Sequence, residues 1–308
     1  MQDNSLVLGA TELAIRFWGV RGSIPSPGPE TVRYGGNTSC VEIRLGDEIL
    51  ILDAGSGIRR LGLELASELE EKPLRTTLLI SHTHWDHIQG LPFFRPAYFR
   101  SSQMRILGAP GTRAKLRTAL VSQMDPIQFP ISMDRLAGIA AIEEFETPSK
   151  TIGSFLVRTT PLNHPGGCTG FRIEAEDVSV AYLPDHEPYG SSAVSSGSVS
   201  TRQNENALIE FLDGCNTLIL DSQYDRTEYP GHIGWGHGCL DESVSLALRA
   251  GVRSLVLFHH DPEHDDAKID AMLDQARRQV ADAGSRMQVQ AARERERLIP
   301  RARRKLAA

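Results

Sequence analysis

Short apolar runs alternate with polar, glycine- or proline-rich breaks over most of the chain. Residues 13–18, 40–45 and 48–52 have the length and composition of strands, with Gly and Pro clusters between them. The period then changes. Ile58, Leu61, Leu65 and Leu69 recur at helical spacing, with acidic residues between them, so a helix is predicted over 56–70. Strands are predicted over 76–80 and 104–107, and a helix over 111–124. The second half repeats this style. Strands are expected at 155–160, 170–175, 178–183, 217–220, 252–258 and 287–290. Helices are expected at 204–212, 240–248 and 265–280, the last with Ile269, Met272, Leu273, Ala276 and Val280 on one face. Residues 191–200 are rich in Ser and Gly and read as a mobile loop.

Strands and helices occur in both halves and no linker separates them. That order predicts an α/β chain in which two packed sheets are flanked by helices within one domain over 1–308. Residues 95–146 read as an apolar, irregular insertion containing Pro96, Phe99, Phe129 and Pro130. It is expected to form either a substrate lid or a homodimer surface. The Arg-rich tail over 293–305 reads as a solvated helix end.

Composition adds exclusions. Of 308 residues, 40% are hydrophobic and 23% charged, as in an ordinary globular chain. No apolar run is long enough to span a membrane, and no basic-then-apolar leader is visible, so the cytoplasm is expected. The net charge of −6 argues against broad binding to nucleic acid or anionic membranes. Cys40, Cys168, Cys215 and Cys239 form no Cys-x-x-Cys pair, so small buried thiols are expected rather than disulfides. Cys168 and Cys239 lie near the polar motifs and keep a metal-adjacent option.

The candidate chemistry lies in Ser81-His82-Thr83-His84-Trp85-Asp86-His87, which follows the apolar Leu78-Leu79-Ile80. Imidazole and carboxylate suit Zn, Mn or Fe, and four such ligands exceed what one catalytic ion normally takes. Two divalent metal ions are therefore expected, which requires further ligands. Strand ends offer His164, Asp185 and the doublet His259-His260. Singly, each is a common loop-capping residue. Their order along the chain gives them weight.

That order, with Leu52-Asp53-Ala54-Gly55 before it, resembles the metallo-β-lactamase fold superfamily, a four-layer αββα sandwich of metal-dependent hydrolases. The resemblance implies that His82, His84 and His164 hold one metal. It implies that Asp86, His87 and His259 hold the other and that Asp185 bridges them. Asp86 is thereby also a catalytic candidate. His260 is the alternative to His259, which is preferred because it follows its apolar strand directly. Asp53 would orient a ligand imidazole.

Branches with β-lactamase activity place Cys at the position of Asp185 or leave it unbridged, so Asp shifts the expectation to phosphodiesters or thioesters. Gly234-Trp235-Gly236-His237-Gly238 resembles the Gly-His-Ser-Thr segment of ribonuclease Z and related phosphodiesterases. It makes His237 the candidate acid for the leaving oxygen, with His232 as its substitute or as a pocket-shaping group. Arg21 and Asn37 lie in N-terminal runs that also look like this group and are candidates to face the substrate, with a surface salt bridge the equal alternative for Arg21. Ribonuclease Z carries an RNA-gripping arm between the positions of His164 and Asp185, where this chain has only a short stretch. The expectation is therefore a phosphodiesterase of cyclic nucleotides or other small phosphodiesters. It would use a metal-bridging hydroxide and need no extended nucleic-acid surface. A thioester or lactone hydrolase, or a non-catalytic metal-dependent binding module, is the alternative.

Overall fold

The computed structural model describes residues 12–68, 73–189 and 199–301. Strands β1 (Ala14–Gly19), β2 (Cys40–Leu45) and β3 (Glu48–Leu52) lead to helix α1 (Ile58–Glu68). Strand β4 (Arg75–Leu79) runs into a one-turn helix, α2 (Trp85–Ile88), and is followed by β5 (Gln103–Gly108), α3 (Arg113–Ser122) and β6 (Ile139–Glu144). Four strands succeed one another as β7 (Ser149–Ile152), β8 (Phe155–Leu162), β9 (Cys168–Ala175) and β10 (Val178–Leu183). Helix and strand then alternate through α4 (Val199–Leu212), β11 (Thr217–Asp221), α5 (Leu240–Arg249), β12 (Ser254–Phe258), α6 (Asp266–Asp282) and β13 (Gln288–Ala291). The short strand β14 (Arg297–Leu298) closes the described chain.

Two seven-stranded sheets result, ordered β14-β1-β2-β3-β4-β5-β6 and β13-β12-β11-β10-β9-β8-β7. Strands β3 to β6 are parallel neighbours in the first sheet, and β10 to β13 in the second. Parallel strands in such a layered protein have both faces covered, so their side chains alternate between two apolar layers. In β3, Leu50 and Leu52 enter the core between the sheets, whereas Ile49 and Ile51 pack beneath α1 with Leu61 and Leu65. In β12, Val256 and Phe258 face the inter-sheet core, while Leu255 and Leu257 join Val244 and Ile269 under α5 and α6. Three apolar layers thus separate four structural ones, which is the expected αββα sandwich.

Three local expectations change. The 95–146 segment is more regular than its proline and aromatic content suggests, because β5 and β6 extend the first sheet and α3 packs on them. Over its described residues, 293–301, the Arg-rich tail is not a helix end. Its β14 pairs antiparallel with β1, Ile15 opposite Leu298. Of the Ser/Gly-rich run, 190–198 lies outside the described residues, and 199–200 already belong to α4. Among the described residues, no helix is long and apolar enough to cross a membrane.

Phe17 is fully buried between the sheets, with its ring 6.2 Å from that of Phe258. Phe17→Ala is expected to cost about 3–5 kcal/mol of unfolding free energy. Urea unfolding tests this, and a loss below about 1 kcal/mol would contradict its place in the inter-sheet core.

Candidate metal centre

The polar residues gather where strands run out. The turn after β4 carries His82, His84, Asp86 and His87. The ends of β8, β10 and β12 deliver His164, Asp185 and His259. Parallel register explains the convergence. Leu183 in β10 is opposite Leu220 in β11, and Asp221 in β11 is opposite Phe258 in β12. The residues after these positions must therefore emerge side by side at the carboxyl ends of the strands.

Three groups of ligand-type atoms form there: Asp221–His237–His259 at one side, and the central pair His82–His84–His164–Asp185 and Asp86–His87–Asp185–His259. Asp185 belongs to both, and its two oxygens divide the work. Oδ2 lies 3.6 Å from His82 Nε2 and 3.7 Å from His164 Nε2. Oδ1 lies 3.0 Å from His87 Nε2 and 3.4 Å from His259 Nε2. Asp86 Oδ2 completes the second group at 3.1 Å from His87 Nε2 and 3.2 Å from His259 Nε2. His84 presents Nδ1, 3.0 Å from His164 Nε2. Two ligands each about 2.1 Å from one tetrahedral ion stand roughly 3.4 Å apart, so these spacings suit metal binding. His82 Nε2, His87 Nε2 and Asp185 Oδ1 are buried and have no aligned hydrogen-bond partner. Buried polar atoms are normally satisfied, so these orphans, one from each central group and one from the shared Asp185, fit a pair of cations. The donor set is suited to two divalent ions of the Zn, Mn or Fe type.

Each buried imidazole is held from behind. His87 Nδ1 donates to Asp53 Oδ2 at 2.8 Å, His164 Nδ1 to the Gly236 carbonyl at 2.8 Å, and His259 Nδ1 to Gln223 Oε1 at 3.0 Å. Ser81 Oγ gives its proton to Asp53 and so accepts from His82 Nδ1 at 3.1 Å. Such outer bonds fix the tautomer and aim the opposite nitrogen inward. Asp53 also receives the Ser81 amide and the Tyr182 hydroxyl. Backbone geometry serves the same end. Asp53 and His259 adopt φ of 59° and 60°, sparsely populated conformations for such residues. A Cβ on Gly22 would lie 2.4 Å from the His259 ring, so only glycine lets that ring pass. Gly236, at φ 90°, similarly faces His164 Nδ1.

The electrostatics follow from crowding. Burial opposes charge on Asp185 and Asp86, yet the neighbouring imidazoles hold both well below the usual carboxylate range. Burial also opposes protonation of His87, but Asp185, Asp86 and Asp53 outweigh it and raise its pKa. The surroundings thus demand positive charge, which divalent cations supply. Burial lowers His82 and His164.

His237 adjoins the centre, with its ring 4.9 Å from that of His259 and 5.3 Å from that of His164. Its Nδ1 bonds Asp221 Oδ2 at 3.0 Å. Burial depresses its pKa, but this carboxylate overrides the effect and the imidazole is pushed up to about 9. Of the His259–His260 doublet, only His259 reaches the cluster. His260 Nε2 bonds the Ala292 carbonyl at 2.9 Å, and burial drops its pKa to about 3.

Other expected residues lie elsewhere. Arg21 is fully buried and does not face substrate. Its guanidinium donates to the carbonyls of Gly35, Asp261 and His264, tying loops together. Asn37 is spent on Glu294 and Ser56. His232 bonds the Glu228 carbonyl and stacks on Tyr224, 4.1 Å between centroids, which makes it a loop-shaping residue. Among the described residues, no ligand-type group includes a cysteine, so neither Cys168 nor Cys239 joins the centre.

Asp221, Gln223 and Glu187 were not anticipated. Asp221 was legible in principle, because it ends the parallel strand between those that deliver Asp185 and His259. Gln223 and Glu187 carried no local signal.

A family model described as a beta-lactamase superfamily domain matches residues 49–260. The chain belongs to the beta-lactamase superfamily. With its paired His/Asp groups, it is a metal-dependent hydrolase of that superfamily. Ribonuclease Z of Thermoplasma acidophilum is 23% identical over 306 residues, covering 88% of this chain and 92% of that protein. The metallo-beta-lactamase fold protein YhfI from Bacillus subtilis superposes with a TM-score of 0.67 at 18% identity, covering 94% and 99% of the two chains. The short form of human tRNase Z gives 0.58 at 16% identity, covering 94% and 99%. These matches overturn one expectation. A short stretch between His164 and Asp185 and an acidic balance had argued against an extended nucleic-acid surface. Yet two of these three relatives are ribonucleases by name, and RNA returns among the substrates to be tested.

Asp53→Ala is expected to weaken metal binding about 10- to 100-fold, because His87 loses the group that aims it. Competition with a chelating dye measures this without any substrate. An unchanged affinity would refute the orienting role.

Proposed function

We propose that this chain is a phosphodiesterase that hydrolyses nucleotide phosphodiesters, cyclic nucleotides among them, at a dinuclear centre. His82, His84 and His164 would hold one ion, Asp86, His87 and His259 the other, and Asp185 would be shared. The observation that carries the reading is His237 beside the shared carboxylate, its Nδ1 engaged by Asp221. Two ions bound there would act as Lewis acids on phosphoryl oxygens and lower the pKa of water.

The chain's own residues supply the rest. A cleft of about 440 Å³ opens over the centre, lined by Ser23, Thr83, His84, Trp85, Asp86, Asp185 and His237. With Nδ1 committed to Asp221, His237 has Nε2 for the substrate. The imidazolium form would donate its proton from there to the departing alkoxide. Asp221 keeps that form populated and fixes the ring plane. Phosphodiesters gain most from such an acid because their alkoxide leaving groups are poor. A thioester has a leaving group that needs no proton, and nothing in the cleft is specific to a carbonyl substrate.

Turnover of bis(p-nitrophenyl) phosphate by the Mn²⁺- or Zn²⁺-loaded protein, beside His84→Ala, is the primary test. Metal-dependent release that the variant loses is expected. Cyclic AMP and a precursor tRNA then separate small from extended substrates. No release from fully metallated protein would turn the reading to thioesters and lactones.

His237→Ala is expected to slow cleavage of a substrate with an alkoxide leaving group by about 10²- to 10⁴-fold. Its effect on a p-nitrophenyl ester should be far smaller. Equal losses on both would remove His237 as the acid.

The pH profile gives a signed test. His237 must be protonated to act, and Asp221 raises its pKa, so activity falls as pH rises through that pKa. Asp221→Asn removes the charge and should move the alkaline limb of kcat to lower pH. A limb that stays in place would exclude this pairing.

A further inference from the structure

A second cavity of about 470 Å³ adjoins the centre on the side of His82 and His84, both of which line it. It runs between the loop after β5 and the strands β8 and β9, away from His237. We propose that this cavity holds the nucleobase of the substrate, a flat, uncharged heterocycle, while the phosphodiester lies over the centre. The proposal rests on the phosphodiesterase reading and adds the specificity site to it.

Three features support a ring of that kind. The walls are largely carbon, from Pro110, Leu116, Pro148 and Pro161, and the volume lies in the range of small-molecule sites. Between the carbon walls stand the hydroxyls of Ser81, Thr83, Thr112, Thr159, Thr160 and Thr169 and one ammonium. Thr112 Oγ1 donates to the Ala109 carbonyl at 2.5 Å and Thr159 Oγ1 to the Pro148 carbonyl at 3.3 Å. With their protons committed, both hydroxyl oxygens can only accept, as an exocyclic amine requires. Lys115, exposed at the rim and in no ion pair among the described residues, donates to a ring nitrogen or carbonyl. Finally, the floor is open. A Cβ on Gly167 would meet nothing within 4 Å, so a ring can lie against this backbone next to His84.

The polarity of the pocket argues against a charged occupant. It offers one ammonium and no guanidinium, too little to hold a second phosphate away from the metals. A free nucleotide and the terminal nucleotide of an RNA present the same ring. A short single-stranded RNA titrated against AMP shows which source is held better.

The test uses metal-loaded protein and two esters, p-nitrophenyl adenosine 5′-phosphate and methyl p-nitrophenyl phosphate. Ala109→Trp fills the cavity from the loop after β5. The ratio of kcat/KM for the nucleoside ester over the methyl ester should fall about tenfold or more, mainly through KM. Lys115→Ala, at an exposed helical position, should lower the same ratio and serves if bulk at 109 disturbs folding. An unchanged ratio in both variants would overturn the proposal. If the wild type cleaves neither ester, the phosphodiesterase reading fails, and AMP titration decides the pocket by itself. Saturable binding lost in Ala109→Trp upholds it. Equal binding in the variant, or none in the wild type, sinks it.

Discussion

The structure turns on one buried carboxylate. Asp185 is almost wholly removed from water, with each oxygen aimed at a different set of imidazoles. A charge in that position is costly unless it is paired, and its partners arrive from strands far apart in sequence. The sandwich solves this by ending β4, β8, β10 and β12 at one rim. Packing of the three apolar layers fixes where those ends fall, and outer hydrogen bonds then fix the rings.

The support behind the ligands is as built as the ligands themselves. Asp53 engages His87, Ser81 and Tyr182 at once, joining the first sheet to the second through a single carboxylate. Glu187 accepts from the Gly234 and Gly236 amides, and the Gly236 carbonyl accepts from His164. The glycine-rich loop is thus clamped on one side and clamps a ligand on the other. His237 inherits its position from that arrangement.

Much of this was legible because the signal was local. The His82–His87 run places four candidates in one turn, and the buried strands before His164, Asp185 and His259 announce their own ends. Residues whose roles depend on distant partners were misread. Arg21 resembles a phosphate ligand until the 261–264 carbonyls fold over it. Asn37 resembles a substrate contact until Glu294 reaches it from the far end of the chain. The strands that escaped notice were short or lay in unpromising composition. Strand β14 has two residues and exists only because β1 offers an open edge. Strand β6 reads Ile-Ala-Ala-Ile-Glu-Glu, a poor strand by composition, and is set by pairing with β5.

The antiparallel pairing of β14 with β1 ties together segments near the two ends of the described residues. The first strand of the described chain receives its outer neighbour from a segment far along the sequence. His259 likewise lies far along the sequence from the turn that carries His82 to His87. Without those distant segments the first sheet has a bare edge at β1, and His82, His84 and His87 lack the residues that complete their groups. Closure of the sheet and assembly of the rim are therefore both set by contacts between residues distant in sequence, not by the local turn alone.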